Sequence, residues 1–182
     1  MSEYMTVDVE VWGVGADPEG LWLASGHGPW RPAEPVRADS TVHGEVELCL
    51  RMNGVQLEGT LVYEVPLIHS TSWRQVDQRV VLTYVAVIQT SGFVRRTWPD
   101  AAPIGQELLA AAGKPPTHAP AEAPTVRDFD VLAHVLRHLT FLRMYDGTAA
   151  RVLEGDPLWR AQLKPLKPAL AGMYNQEHPL AA

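Results

Sequence analysis

The sequence has little of several features that would assign a protein to a class at once. Its 182 residues include one cysteine, Cys49, which excludes an internal disulfide and any zinc site built from several cysteines. Lysine and arginine number 15 against 21 aspartates and glutamates, and this net charge of −6 argues against nucleic-acid binding through bulk charge. No apolar run approaches the roughly 20 residues of a membrane span, and the N-terminus lacks the basic start of a signal peptide. We therefore expect a cytoplasmic protein with no membrane partner.

The first half of the chain has the composition of β-structure. MTVDVEVWGVG alternates valine with polar residues, which predicts a half-buried strand that Gly13 and Gly15 end. GLWLAS follows a turn at residues 17–20, so these two segments are expected to form a hairpin. Residues 57–74 and 79–90 are rich in β-branched side chains and predict two central strands.

The second half is helical. A short helix is predicted at 105–112 and a long one at 128–145, where Thr125 and Asp128 have the spacing of a capping box. Apolar residues of the long helix share one stripe: Phe129, Leu132, Val135, Leu136, Leu139 and Leu142. Asp156 and Pro157 suit the start of a last helix that Pro165 must kink or break.

The segment VHGEVELCLRMNGV, residues 42–55, has two interpretations. Its alternation of apolar and polar residues, followed by Asn53-Gly54, is typical of a strand entering a type I′ hairpin. A helix is the alternative, because Asp39 or Ser40 suits an N-cap and Asn-Gly also ends helices. The sequence pattern alone favours the hairpin and leaves the helix as the alternative.

Two motifs around this segment resemble the Nudix box. Gly28 and Glu34 have the spacing of the first Gly and Glu of that box, and MNGV at 52–55 resembles its closing turn. The resemblance implies an α+β fold in which a mixed sheet is flanked by helices, with a Nudix-like domain at 1–150 and a helical extension at 151–182 packed on it as one compact unit. It also favours the helix at 42–53.

The acidic part of the box is degenerate. Counted back from Gly54, the family's Glu-Glu pair falls on Arg51 and Met52, and an arginine cannot ligate the Mg²⁺ that Nudix hydrolases hold with several carboxylates. We therefore expect hydrolase activity to be lost or altered. The alternative is an active Nudix-type pyrophosphohydrolase that uses Mg²⁺ and an unusual set of residues: Glu34, Glu45 and Glu47.

Candidate ligand-binding residues lie in the glycine-rich loop and at a strand end. They are Trp30, Arg31, His69, Trp73 and Arg74. Tryptophan can stack on a base and arginine can pair with phosphate, so this set predicts a nucleotide or another phosphate-bearing small molecule as ligand. Packing at a strand end is the alternative.

Two helix faces present possible metal ligands at four-residue spacing. They are Asp39, His43 and Glu47 in the first helix and Asp130, His134 and His138 in the late helix. A solvated polar face near the helix start is the preferred explanation of the first set. The second shares its face with Phe141 and Tyr145, which predicts burial against residues 158–174 or, alternatively, an interaction surface for a partner or a homodimer.

Overall fold

The described part of the chain is a mixed α+β fold. The computed structural model describes residues 6–38, 41–58, 66–76, 78–90, 92–112 and 127–170. Its strands are β1 Thr6–Asp17, β2 Gly20–Leu23, β3 Val36–Arg37, β4 Leu67–Val76, β5 Arg79–Ile88 and β6 Ala102–Pro103. Its helices are α1 Val42–Met52, α2 Val94–Thr97, α3 Gln106–Ala112, α4 Asp128–Tyr145, α5 Gly147–Gly155 and α6 Pro157–Leu163. The predicted fold class is confirmed at this level.

The six strands form one mixed sheet in the order β4-β5-β1-β2-β6, with β3 paired to the start of β1. β1 is parallel to β5 and antiparallel to β2, which confirms the predicted hairpin. β4 pairs with β5 and lies at the edge of the described sheet. Of the two segments predicted to be central strands, the second is central as β5, whereas the described part of the first, β4, is an edge strand among the described residues. Residues 59–65 of the first segment lie outside the described residues.

The prediction that glycines end β1 is wrong, because the strand continues to Asp17. A Cβ atom at Gly13 would overlap the ring of Trp30, and one at Gly15 would lie 2.8 Å from a methyl group of Val94. Both glycines therefore lie within a continuous strand and allow neighbouring side chains to pack closely against it. The half-buried character expected of β1 is also wrong, because both of its faces are covered.

Side chains of the sheet pack into two hydrophobic cores. On one side, called the α1 face, Val7, Val9 and Val11 pack with α1. On the other, called the α4 face, Trp12, Val14, Val85 and Val87 pack with α3 to α6. Because side chains alternate along a strand, Glu10 and Thr83 belong to the α4 face.

Residues 42–52 are a helix, and the hairpin alternative is wrong. Val42, Val46, Cys49 and Leu50 are buried at helical spacing. Gly54 has a φ of +80°. The amides of Gly54 and Val55 donate to the carbonyls of Arg51 and Leu50 at 3.1 and 3.0 Å, which is a Schellman motif. The N-cap is Thr41, and Asp39 and Ser40 lie outside the described residues.

The capping box predicted for α4 is misplaced. The helix begins at Asp128, and the carboxylate of Asp130 accepts hydrogen bonds from the backbone and the guanidinium of Arg127 at 3.3 and 3.0 Å. Thr125 lies outside the described residues. Five of the six predicted stripe residues are buried, whereas Phe129 is 39% exposed because it lies in the first turn, at the margin of the core.

Two short helices follow α4. Asp146 caps the unpredicted α5 by accepting from the amides of Thr148 and Ala149. Asp156 caps α6 with Pro157 in the first turn, as predicted, and α6 ends at Leu163, before Pro165. α5 spans the boundary expected at residue 150, and Trp159 of α6 is fully buried in the core of the α4 face. None of the helices in the described ranges has the length and apolarity that crossing a membrane requires.

Candidate functional site

A cleft lies at the carboxyl end of β5, where α1, α2 and α5 approach the sheet. Its volume is about 850 Å³. The residues that line it include Gly54, Val55, Gln56, Gln89, Thr90, Phe93, Arg96, Trp98, Arg151 and Val152. The carboxyl end of parallel strands is a common position for ligands in α/β proteins, and the volume is typical of small-molecule sites.

The wall formed by α1 and Trp98 is held by hydrogen bonds. The Schellman motif turns the chain at Gly54, so that Val55 and Gln56 enter the cleft instead of continuing the helix. The indole nitrogen of Trp98 donates to the carbonyl of Asn53 at 3.0 Å. The end of α1 and the segment after α2 are thereby joined along one side.

Asp17 fixes the position of α2. Its buried carboxylate accepts hydrogen bonds from the Val94 amide at 3.0 Å, the Trp22 indole at 2.8 Å and the Glu19 amide at 2.8 Å. Burial raises the pKa of Asp17, but these hydrogen bonds outweigh burial and hold the pKa below its ordinary value. An ionised Asp17 therefore ties β1, β2 and α2 together behind the cleft.

Two arginines supply the positive charge of the cleft. Arg96 extends from α2, with its guanidinium 5.5 Å from the centre of the Phe93 ring, and Arg151 extends from α5. Among the described residues, neither arginine forms an ion pair with an acidic side chain. An acidic protein thus presents two guanidinium groups, together with Phe93 and Trp98, to one space. One carboxylate, that of Asp156, also lines this space, and it accepts from the Leu158 amide at 2.8 Å.

The arginines predicted to bind ligand meet at another place. Arg31 and Arg74 converge on the buried carboxylate of Glu10, with nitrogen–oxygen distances of 2.8 and 2.7 Å. Arg74 also donates to the hydroxyl of Thr83 at 3.1 Å. Glu10 is 3% exposed, so the two guanidinium groups compensate a charge inside the protein.

The aromatic members of the predicted set point elsewhere. Trp30 packs on Gly13 at the α1 face, and Trp73, also on the α1 face, is 68% exposed. His69 lies on the α4 face, where its ring centre is 5.4 Å from that of His138. These positions bring Arg31 and Arg74 together but give the five residues no common pocket.

The carboxylates proposed for catalysis are separated. Glu34 is exposed in the loop before β3. Glu45 and Glu47 are two residues apart on α1, about 200° around the helix, so they cannot hold one ion together. Glu47 lies 3.5 Å from His43, and their expected co-ligand Asp39 is outside the described residues. In the ranges that the structure describes, no group of three such side chains could hold a metal ion.

The late-helix histidines contact β4. His138 is 5% exposed, and its ring centre is 6.2 Å from that of His134. Burial lowers the pKa of His138 to about 4, and the nearby His69 and His134 add to this, although the Ala169 backbone partly opposes them. Burial also lowers the pKa of His134, against a hydrogen bond with the Thr71 backbone. Both imidazoles are therefore expected to be neutral at pH 7.

The histidine-bearing side of helix α4 was predicted to be buried against residues 158–174, and this prediction holds only in part. Residues 171–174 lie outside the described residues. β4 covers His138, whereas Tyr145 is 55% exposed, so the prediction of a wholly buried face is wrong at its carboxyl end. Asp130 pairs with Arg127 and not with the histidines. The C-terminal segment also reaches α4 here, because the Ala169 backbone lies near the His138 imidazole and the Ala169 amide donates to the Arg137 carbonyl at 3.1 Å.

Sequence reasoning missed the residues that define the cleft. Arg96 and Trp98 belong to the segment FVRRTWP, whose paired arginines beside two aromatic residues were the only local signal. Arg151 has no such signal, because it lies on the unpredicted α5. Comparison of the chain with protein-family models, with curated proteins and with solved structures finds no match.

Proposed function

We propose that this protein binds a nucleotide or another small molecule that carries both a phosphate group and a planar ring, in the cleft at the carboxyl end of β5. The observation that carries the proposal is the pair Arg96 and Arg151, which have no acidic partner among the described residues and line one cleft of about 850 Å³. Guanidinium groups bind phosphate oxygens through paired hydrogen bonds.

The remaining lining supports the ring component of this ligand. The side chains of Phe93 and Trp98 offer stacking surfaces, and those of Gln56, Gln89 and Thr90 offer neutral hydrogen-bonding groups. The Thr90 hydroxyl already donates to the Gly92 carbonyl at 2.7 Å, which leaves the two amides to meet the edge of a base. A ligand with phosphate alone would leave this part of the cleft unused.

The proposed role is binding and not hydrolysis. A Nudix-like relationship remains part of the proposal, and a mixed sheet with α1 on one face and α4 on the other supports it. Arg51 and Met52 occupy the positions of the family's paired glutamates, and Glu45 and Glu47 diverge around α1. Magnesium-dependent phosphate release from nucleoside diphosphate derivatives should therefore stay far below about 1 per second, the lower end of ordinary enzyme turnover. Turnover above that rate that is lost in Glu47→Gln would restore the hydrolase alternative.

Calorimetric titration with ADP, adenosine and pyrophosphate tests the binding. ADP is expected to bind more tightly than either fragment, because only ADP uses both parts of the cleft. Arg96→Gln or Arg151→Gln should weaken ADP binding about tenfold, since a hydrogen bond to a charged group contributes roughly 1.5 to 3 kcal/mol.

Arg95→Gln is the matched control. Arg95 precedes Arg96 in α2 and is exposed, but its guanidinium lies over the Trp22 ring and does not line the cleft. Its substitution should leave ADP affinity unchanged. Equal losses in Arg95→Gln and Arg96→Gln, or no binding of ADP at about 1 mM, an affinity of only ~4 kcal/mol, would overturn the proposal.

A further inference from the structure

A second concentration of positive charge lies outside the cleft. A groove of about 500 Å³ runs between α4, α5 and α6, lined by Arg143, Glu154, Pro157, Arg160, Ala161 and Lys164. Three cations and one carboxylate give it a formal surplus of positive charge, although the whole chain carries −6. Pro157 lines both spaces, so groove and cleft adjoin at the junction between α5 and α6.

Arg143 is the most buried cation of the groove, with a side chain that is 13% exposed. Its Nε atom lies 3.3 Å from an oxygen of Glu154 without making an aligned hydrogen bond, and its Nη1 atom donates to the Arg160 carbonyl at 3.4 Å. Both distances are long for charge-assisted hydrogen bonds, which are usually 2.7 to 2.9 Å. The chain itself therefore compensates this guanidinium only weakly.

Arg160 and Lys164 add charge beside Arg143. They are four residues apart at the end of α6, where the Lys164 amide donates to the Arg160 carbonyl, so their side chains lie on the same side of the helix and repel each other. Among the described residues, neither forms an ion pair. The helix dipoles favour cations at the carboxyl ends of α6 and α4, where Arg160 and Arg143 lie, but they do not remove the repulsion between the three cations.

We propose that this groove is a second anion-binding site, which takes the phosphate group of a small molecule. An anion placed between the three cations would relieve their mutual repulsion and provide the short hydrogen bonds that Arg143 lacks. The groove of about 500 Å³ is larger than a phosphate or pyrophosphate group needs, so the rest of a small molecule can lie beside that group. The site involves none of the cleft arginines and stands independently of the function proposed for the cleft.

Titration of the ¹⁵N-labelled protein with sodium pyrophosphate, followed by amide shifts, tests this proposal. Shifts are expected at residues 160–164, with a Kd of about 1 mM or tighter. The double variant Arg160→Gln with Lys164→Gln should weaken the groove Kd about tenfold, because two charge-assisted contacts are lost. Both side chains are exposed, so the fold should persist.

Two further variants separate the groove from the cleft. Glu154→Gln removes the one carboxylate of the groove and should tighten pyrophosphate binding there by about two- to threefold, because a nearby like charge disfavours an anion. Arg96→Gln with Arg151→Gln should leave shifts at 160–164 unchanged, whatever it does to the cleft. Shifts at the cleft alone, or none at 160–164 up to about 10 mM, a binding free energy below ~3 kcal/mol, would overturn the groove proposal while leaving the cleft proposal standing.

An acidic peptide provides the last arm of the experiment. A hexaglutamate peptide presents carboxylates along an extended chain, which a short groove can contact only in part. Pyrophosphate is expected to displace it from residues 160–164. Shifts there with the peptide and none with pyrophosphate would reject a phosphate ligand.

Discussion

Position 13 of β1 requires glycine because the ring of Trp30 occupies the space that a Cβ atom would take. Gly13→Ala is expected to lower the free energy of unfolding by about 1 to 3 kcal/mol, since the added methyl group overpacks the core. At Gly44, inside α1, a methyl group would meet no heavy atom within 4 Å apart from the backbone of its own helix. Gly44→Ala should therefore raise stability by up to about 1 kcal/mol through helix propensity. Urea unfolding of both variants measures the two effects. A Gly13→Ala variant as stable as the unchanged protein, or more stable, would contradict the close packing of Trp30.

His138 makes stability depend on pH. Its pKa is about 4 in the folded protein and 6.5 in the unfolded chain, so the unfolded chain takes up a proton first as the pH falls. The stabilising contribution of neutral His138 to the free energy of unfolding is therefore fully present above pH 6.5. It is lost between about pH 6.5 and 4 and amounts to on the order of 3 kcal/mol in all. His138→Phe should flatten the unfolding free energy against pH within that window. His27→Phe, at an exposed histidine, is the control. An unchanged slope in His138→Phe would mean that another group causes the pH dependence.

At the scale of elements, Gly54 ends α1 and starts the wall of the cleft. Its φ of +80° costs a residue with a side chain roughly 1 to 2 kcal/mol. Gly54→Ala is therefore expected to destabilise the protein by that amount and to weaken ADP binding, because Val55 and Gln56 depend on this turn. Gly147→Ala, at a glycine without positive φ, is the comparison. Thermal unfolding measures the stability of both variants, and calorimetry measures their ADP affinity. An unchanged ADP affinity in Gly54→Ala would mean that ligand binding in the cleft does not depend on this turn.

Elements with local signals were predictable from the sequence. Asp156 and Pro157 start α6 as predicted because an N-cap acts on amides two or three residues away. Asn53-Gly54 is a local signal too, but it is typical of both a hairpin turn and a helix end. The helix is favoured by the burial of Val46 and Leu50 against the sheet, which is not a local signal. The position of β4 at the edge of the described sheet has no local signal, because strand order depends on pairing between distant segments.

The residues of the candidate site could not be predicted from the sequence, and the class of ligand stays a prediction. Trp30, Arg31 and Arg74 have the chemistry of phosphate and base binding, but Glu10, buried on β1, binds both arginines. No pattern near Arg74 indicates that partner, which lies 64 residues away. Arg96 and Arg151 are brought to one cleft by the packing of α2 and α5, which no spacing in the sequence records.

For the molecule as a whole, Trp159 links the C-terminal helices to the sheet. It is fully buried in the core that contains Trp12 and Val14 of β1. Trp159→Ala should cost about 3 to 5 kcal/mol, whereas Trp73→Ala, at a side chain that is 68% exposed, should cost about 0.5 kcal/mol or less. Far-ultraviolet and near-ultraviolet circular dichroism should follow one transition in every variant. Two separate transitions would mean that the C-terminal helices unfold by themselves.

The parallel pairing of β1 with β5 also sets an order of folding. The paired residues lie on the order of 70 positions apart, so this pairing closes a long loop and is expected to form slowly. During synthesis, β1 and β2 can form their hairpin early, whereas the other edge of β1 must wait until β5 has left the ribosome. An apolar strand edge is thus open to other chains for that interval, and aggregation during refolding should rise steeply with protein concentration.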